Sequence, residues 1–197
     1  MQAVALEIPD VKLLTPDVFG DARGFFMESY NRRTFEEVIG EEVSFVQDNH
    51  SRSAQGVLRG LHYQDQQPQG KLLRVLQGQI LDVAVDLRRD SPHFGRWVSV
   101  LLDAESHQQL WVPPGFAHGF VVLSDSADVF YKTTDYYAPQ HERAIRWDDA
   151  ELGIDWRREL WQWGGEPTLS PRDAAAPSRT DQLNRSDASI LDDRYRP

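Results

Sequence analysis

Cysteine is absent from all 197 residues, which excludes disulfide scaffolds, thiolate zinc sites and cysteine nucleophiles. Long apolar runs are missing too: nothing approaches the roughly 20 consecutive apolar residues that span a bilayer. No basic-then-apolar leader opens the sequence, so the expectation is a cytoplasmic protein with no membrane association. Basic residues are in deficit. Twenty-one lysines and arginines face 31 acidic residues, a net charge of −10, which is the wrong sign for a surface that coats nucleic acid. From Pro171 onward five arginines match five aspartates, so the imbalance lies in residues 1–170. An anionic ligand would have to be held by a local arginine cluster against the global field.

Helix signals are scarce as well. Asn31 is placed to cap one short helix, with Phe35, Val38 and Ile39 as its apolar stripe and Gly40 at its end. The Trp-rich piece 154–163 adds at most a turn or two on the outside. What dominates is period-2 alternation bounded by Gly, Pro, Ser and Asp. Val43, Phe45, Gln47 and Asn49 share one face of a segment that is apolar first and polar later. Residues 71–77, a turn at Gly78 and residues 79–88 read as a hairpin-like pair, in which Leu81, Val83, Val85 and Leu87 alternate with Asp82, Ala84 and Asp86. Segments at 97–102, 108–113, 118–123, 128–133 and 144–147 follow at a spacing of about ten residues, the rhythm of an all-β sandwich, jelly roll or barrel. A composition of 40% hydrophobic and 26% charged residues suits one domain, expected over residues 1–173. Beyond it, 174–197 reads as a poorly ordered tail with Ile190, Leu191 and Tyr195 as its only docking groups.

Two histidines stand in suggestive settings. Pro113-Pro114-Gly115-Phe116-Ala117-His118 resembles the second motif of the cupin jelly rolls, but Gly60-Leu61-His62-Tyr63-Gln64 puts glutamine where the first motif needs its second histidine. His62 and His118 alone are two ligands, short of the three that a catalytic metal generally takes, so no metal is expected. Arg59 precedes His62 by three and Lys71 follows by nine; Gln47 and Asn49 share a strand face, as do Val129, Tyr131 and Thr133. Asp82 and Asp86 read as solvated alternation. His50, His93, His107 and His141 read as surface groups, and Trp97, Trp111 and Trp147 as packing.

Five runs in this order resemble one family: Phe19-Gly20-Asp21-Ala22-Arg23-Gly24-Phe25-Phe26-Met27-Glu28-Ser29-Tyr30, Phe45-Val46-Gln47-Asp48-Asn49-His50-Ser51, Val57-Leu58-Arg59-Gly60-Leu61-His62-Tyr63-Gln64, Pro114-Gly115-Phe116-Ala117-His118-Gly119-Phe120, and Tyr131-Lys132-Thr133-Thr134-Asp135-Tyr136-Tyr137-Ala138-Pro139. The resemblance, over about residues 8–177, is to the dTDP-4-dehydrorhamnose 3,5-epimerases of dTDP-L-rhamnose synthesis. It implies a cupin-like jelly roll that works as a homodimer without metal or cofactor on a dTDP-sugar, inverting the carbons on either side of a ring ketone. Such a reaction needs a base, a stabiliser for the enolate oxygen and an acid on the opposite face.

By this resemblance His62 is the base, since an imidazole, with an ordinary pKa of about 6.5, is available near physiological pH. Asp173 orients it, Tyr131 is the acid and Lys71 the cation beside the enolate. Arg23, Arg59 and His118 contact the diphosphate or sugar; Glu28, Gln47 and Asn49 add polar contacts; Tyr137 stacks on thymine; Glu142 and Arg172 also bind substrate. Two departures bear on this. Arg172 stands where the family usually has lysine, and the Trp-rich segment 156–168 is longer, long enough to displace Asp173 or to cover the cleft. The readings left open are a single-carbon epimerase, an isomerase that moves the ketone, a metal-dependent cupin and a sugar-binding jelly roll without activity.

Overall fold

Among the described residues, 1–184 of this computed structural model, thirteen strands form two facing antiparallel sheets and a small hairpin. One sheet has the order β1 (Gln2–Ala5), β2 (Lys12–Thr15), β10 (Gln109–Val112), β7 (Lys71–Gln77), β12 (Ser126–Thr133) and β5 (Gln47–Ala54). The other runs β13 (Glu142–Ala144), β6 (Leu58–Gln64), β11 (Phe116–Val122), β8 (Gln79–Asp86) and β9 (Trp97–Asp103). The hairpin is β3 (Val18–Asp21) with β4 (Gly24–Met27). Helix is confined to short pieces, chiefly α1 (Arg32–Ile39), α2 (Pro171–Ala174) and residues 179–184. This is the all-β jelly roll that the strand rhythm implies.

Three apolar layers hold it. Leu73, Val75, Ile80, Val98, Leu102, Phe120 and Val129 come from both sheets and fill the space between them. Leu81, Val83, Val85, Val121, Trp147 and Trp156 line the outer face of the five-stranded sheet, which the segment after β13 covers. Phe35 and Ile39 of α1 lie on Leu14, Leu72 and Trp111 of the six-stranded sheet, with Trp111 edge-on to Phe35 at 5.4 Å. Burying each such side chain contributes about 1.5–3 kcal/mol, so both outer covers are integral to the fold. α1 begins and ends where the sequence implies. The Asn31 side chain accepts from the Arg33 and Thr34 amides, and Gly40 closes it at φ 88°.

The structure departs from the sequence reading in four places. Residues 71–77 and 79–86 are strands but not partners: β7 lies between β10 and β12, and β8 between β11 and β9. Gly78, at φ +79°, is the corner where the chain crosses between sheets, and a Cβ there would meet Ser126 O at 2.0 Å. Residues 43–46 are not strand; Val43 and Phe45 pack under α1 instead, and alternation begins at Gln47. Asp82 and Asp86 are fully buried, because even-numbered residues of β8 face the interior while the odd ones are roofed by the tryptophans. Residues 174–184, read as tail, are tied to the domain: Arg146 N donates to Pro177 O, Arg179 N donates to Asp149 Oδ2 at 2.8 Å, and Gln182 is buried. The remainder of that tail, with Ile190, Leu191 and Tyr195, lies outside the described residues.

Candidate active site

Both inner faces turn polar at one end of the sandwich. In the five-stranded sheet His62 lies opposite His118 and Arg59 opposite Phe120, so one residue of β11, Gly119, answers two of β6, Gly60 and Leu61. This one extra residue of β6 brings Arg59 and His62 to one face although they are three apart, a spacing that would otherwise put them on opposite faces. The strands approach closely there. A Cβ on Gly60, at φ +122°, would lie 2.6 Å from Gly119 Cα. In the six-stranded sheet Tyr131 lies opposite Asn49, and Thr133 opposite both Gln47 and Lys71, so Tyr131, Asn49, Gln47 and Lys71 share the facing wall.

The His62 Nε2 lies 2.5 Å from Asp173 Oδ1. Asp173 is buried in α2, and Ser170 both caps that turn, accepting from the Asp173 amide, and donates its hydroxyl to Oδ2 at 2.9 Å. Burial pushes the Asp173 carboxyl up, but the His62 ring, the Ser170 hydroxyl and Arg172 together hold it below the usual carboxylate range. An ionised Asp173 accepting from Nε2 leaves the lone pair of a neutral His62 on Nδ1. The long segment before α2 does not displace it. Trp156, Trp161 and Trp163 pack against the outer face, and Thr168 then bonds backbone to backbone with Gly56 and Leu58, launching α2 beside β6.

His118 Nε2 meets both oxygens of the buried Asp82, at 3.0 and 2.8 Å. Burial raises the Asp82 carboxyl, against the pull of His118 and Lys71. Desolvation lowers the Lys71 ammonium to about 8, with the Asp82 and Glu142 carboxylates resisting. Tyr131 is raised by burial. Arg59 Nε donates to Ser53 Oγ at 2.9 Å, tying β6 to β5 across the opening. Gln47 donates to Asn49 Oδ1 and accepts from the Tyr137 amide. The Tyr137 hydroxyl donates to Glu142 Oε2 at 2.6 Å, where Arg172 also bonds.

Two residues named from the sequence are not brought to this cluster. Arg23 is exposed at the β3–β4 turn and pairs with Asp21, and Glu28 accepts from Asn31. Conversely, Asp82, Ser53, Gln64 and Ser170 belong to the site's support and were missed. Gln64 is buried and braces the 136–138 loop by accepting from Ala138 N and donating to Tyr136 O. Its signal was present, since it fills the place of the second histidine in the cupin comparison. Asp82 was signalled by polarity at an even position of an otherwise apolar strand. Among the described residues no three His, Asp or Glu side chains converge as metal ligands do. His62 and His118 are each held by a carboxylate instead. Among the described residues no helix is long and apolar enough to cross a membrane.

A base held by a buried carboxylate on one wall, a phenol on the other and an ammonium between acidic groups can remove and return protons on opposite faces of a small molecule. Along most of its length the chain is similar to known epimerases. The family model described as dTDP-4-dehydrorhamnose 3,5-epimerase matches residues 5–181. The enzyme of that name from Pseudomonas aeruginosa is 62% identical over 173 residues, 88% of this chain and 93% of the relative. The structure of a Legionella pneumophila dTDP-6-deoxy-D-glucose-3,5-epimerase, solved with dTDP-4-keto-L-rhamnose, is 50% identical with a TM-score of 0.86, covering 96% of both chains. A 3′-monoepimerase from Streptomyces bikiniensis, solved with dTDP-quinovose, is 33% identical with a TM-score of 0.82, covering 95% of this chain and 91% of that one. With its polar inner walls, its carboxylate-held histidines and a match along nearly the whole described length, the chain belongs to the dTDP-4-dehydrorhamnose 3,5-epimerase family.

Proposed function

We propose that the protein epimerises C3 and C5 of dTDP-4-dehydro-6-deoxy-D-glucose to give dTDP-4-dehydro-L-rhamnose. The observation that carries this reading is the placement of His62 and Tyr131 on facing sheets, so that a sugar ring between them meets a base on one face and an acid on the other. His62, polarised by Asp173, takes the proton beside the ketone. Charge moves onto the ketone oxygen as an enolate, which the Lys71 ammonium stabilises in a partly desolvated setting. Tyr131 returns a proton to the opposite face, inverting the carbon without net oxidation or reduction. The same pair serves the carbon on the other side of the ketone. Arg59 and His118 suit the diphosphate, Gln47 and Asn49 the sugar and nucleotide, and Tyr137 the thymine, with Glu142 and Arg172 beside it.

The reading includes a homodimer in the cytoplasm. Phe19, Phe25 and Phe26 on the β3–β4 hairpin are 67%, 59% and 71% exposed, an apolar surface that a second copy would cover. Arg23 and Glu28, which stand apart from the cluster, ride on or beside that hairpin and would reach the second copy's site. Proton NMR of the substrate in deuterated water tests the activity. Exchange at both C3 and C5 is expected. Exchange at one carbon makes the protein a single-carbon epimerase, and exchange at neither overturns the reading.

A further inference from the structure

Helix α2 is a single turn, yet its two consecutive residues grip different parts of the site. Asp173 holds His62 on β6, and Arg172 holds Glu142 on β13. These strands are neighbours, with Glu142 opposite Gln64 and Ala144 opposite His62. One Arg172 nitrogen donates to Glu142 Oε2, and the other donates to the Glu142 carbonyl at 3.3 Å. The guanidinium fork thus takes both the side chain and the main chain of one residue, which a lysine ammonium does not reproduce. The Tyr137 hydroxyl donates to the same Oε2 at 2.6 Å, and the Tyr137 amide is fixed by Gln47. The ring itself is half in solvent, so these pins, rather than packing, define where it points. Without Arg172, Glu142 keeps only the tyrosine hydroxyl as a described side-chain partner and loses the charge that holds it in place.

We propose that Arg172 is a positioning residue that fixes the ring of Tyr137, both through Glu142 and by its own contact with the Tyr137 hydroxyl, so that one helical turn sets both the base and the platform for the nucleobase. The proposal rests on the epimerase reading only for the identity of the nucleotide. It differs from the role that the resemblance implies, direct contact of Arg172 with substrate, because two guanidinium nitrogens are already committed to Glu142. A phenylalanine at 137 has no hydroxyl for Glu142 to hold, so it disconnects the ring from Arg172.

The experiment is calorimetry with dTDP, paired with steady-state kinetics, on the unmodified protein, Arg172→Gln, Tyr137→Phe and the double variant. Arg172→Gln is expected to weaken dTDP and raise KM roughly 3- to 30-fold, with a much smaller loss in kcat, and this loss should shrink to within about twofold in the Tyr137→Phe background. Arg172→Lys should recover part of the loss. An equal loss in both backgrounds overturns the proposal and makes Arg172 a direct substrate contact. A fall in kcat at constant dTDP affinity also overturns it, placing Arg172 behind Asp173 instead. If Arg172→Gln does not fold, Arg172→Lys carries the same cycle, since it keeps the charge and loses the fork. If the unmodified protein binds dTDP but does not turn over the sugar, the epimerase reading fails while the cycle still decides this proposal. If it does not bind dTDP, both fall.

Discussion

Replacing Asp173 with asparagine removes one charge and almost no volume, which isolates what the carboxylate does for His62. Asp173 is 4% exposed and lies 2.5 Å from Nε2, with its second oxygen taken by Ser170. In the proposed mechanism His62 becomes an imidazolium as it takes the substrate proton, and the ionised partner would stabilise that state. A hydrogen bond to a charged group contributes about 1.5–3 kcal/mol. At about 1.4 kcal/mol per tenfold, kcat should fall roughly 10- to 150-fold from this effect alone. The amide adds to the loss, because an NH₂ turned toward Nε2 favours the opposite tautomer and removes the basic lone pair from Nδ1. The assay is the rate of deuterium entry at C3 and C5 beside dTDP affinity by calorimetry. Exchange should slow by at least tenfold with dTDP affinity within about twofold. Exchange within threefold of the unmodified rate would refute the argument, since the short contact would then be structural only.

Three further outcomes follow from the same geometry. His62→Ala should lower kcat by several orders of magnitude and leave dTDP binding nearly intact; equal losses in rate and affinity would make His62 a binding group. With the Lys71 ammonium at about 8, its charged form prevails below that pH and is lost above it, so kcat should decline as pH rises through about 8. Lys71→Arg, which stays charged, should remove that alkaline limb, and an unchanged limb would assign it to another group. Gly60→Ala places a Cβ 2.6 Å from Gly119 Cα at a backbone angle that side chains disfavour. It should cost about 1–3 kcal/mol, or roughly 3–10 °C in Tm by scanning calorimetry, and a Tm within 1 °C would show that the β6–β11 approach is slack.

Local periodicity carried most of the strand positions, and the Asn31 and Gly40 signals carried α1, because these depend on residues near one another in the chain. Strand partnership did not read the same way. Gly78 marks a turn equally well whether the chain doubles back as a hairpin or crosses to another sheet, and only packing on both faces of β8 decides between them. The same double burial hid Asp82 and Asp86, whose alternation looks solvated until the tryptophan cover is in place. Arg59 and His62 at a spacing of three sit on one face only because of the irregular register opposite His118 and Phe120. Strand geometry alone gave no sign that they share a face; the family resemblance was what grouped them. The short strands β1 to β4 lack clear alternation against turns. Asp173, 111 residues from His62, was reached by motif; its contact depends on Thr168 returning the chain to β6.

Proton removal and return from opposite walls is tested most directly by Tyr131→Phe. Deuterium entry and net inversion at C3 and C5 are measured by proton NMR in the same sample. With His62 and Asp173 intact, deuterium should still enter both positions while inversion falls far behind exchange, because the removed proton is replaced on the face it left. Inversion that keeps pace with exchange in this variant would contradict proton return by Tyr131 and remove it from the opposite face of the sugar.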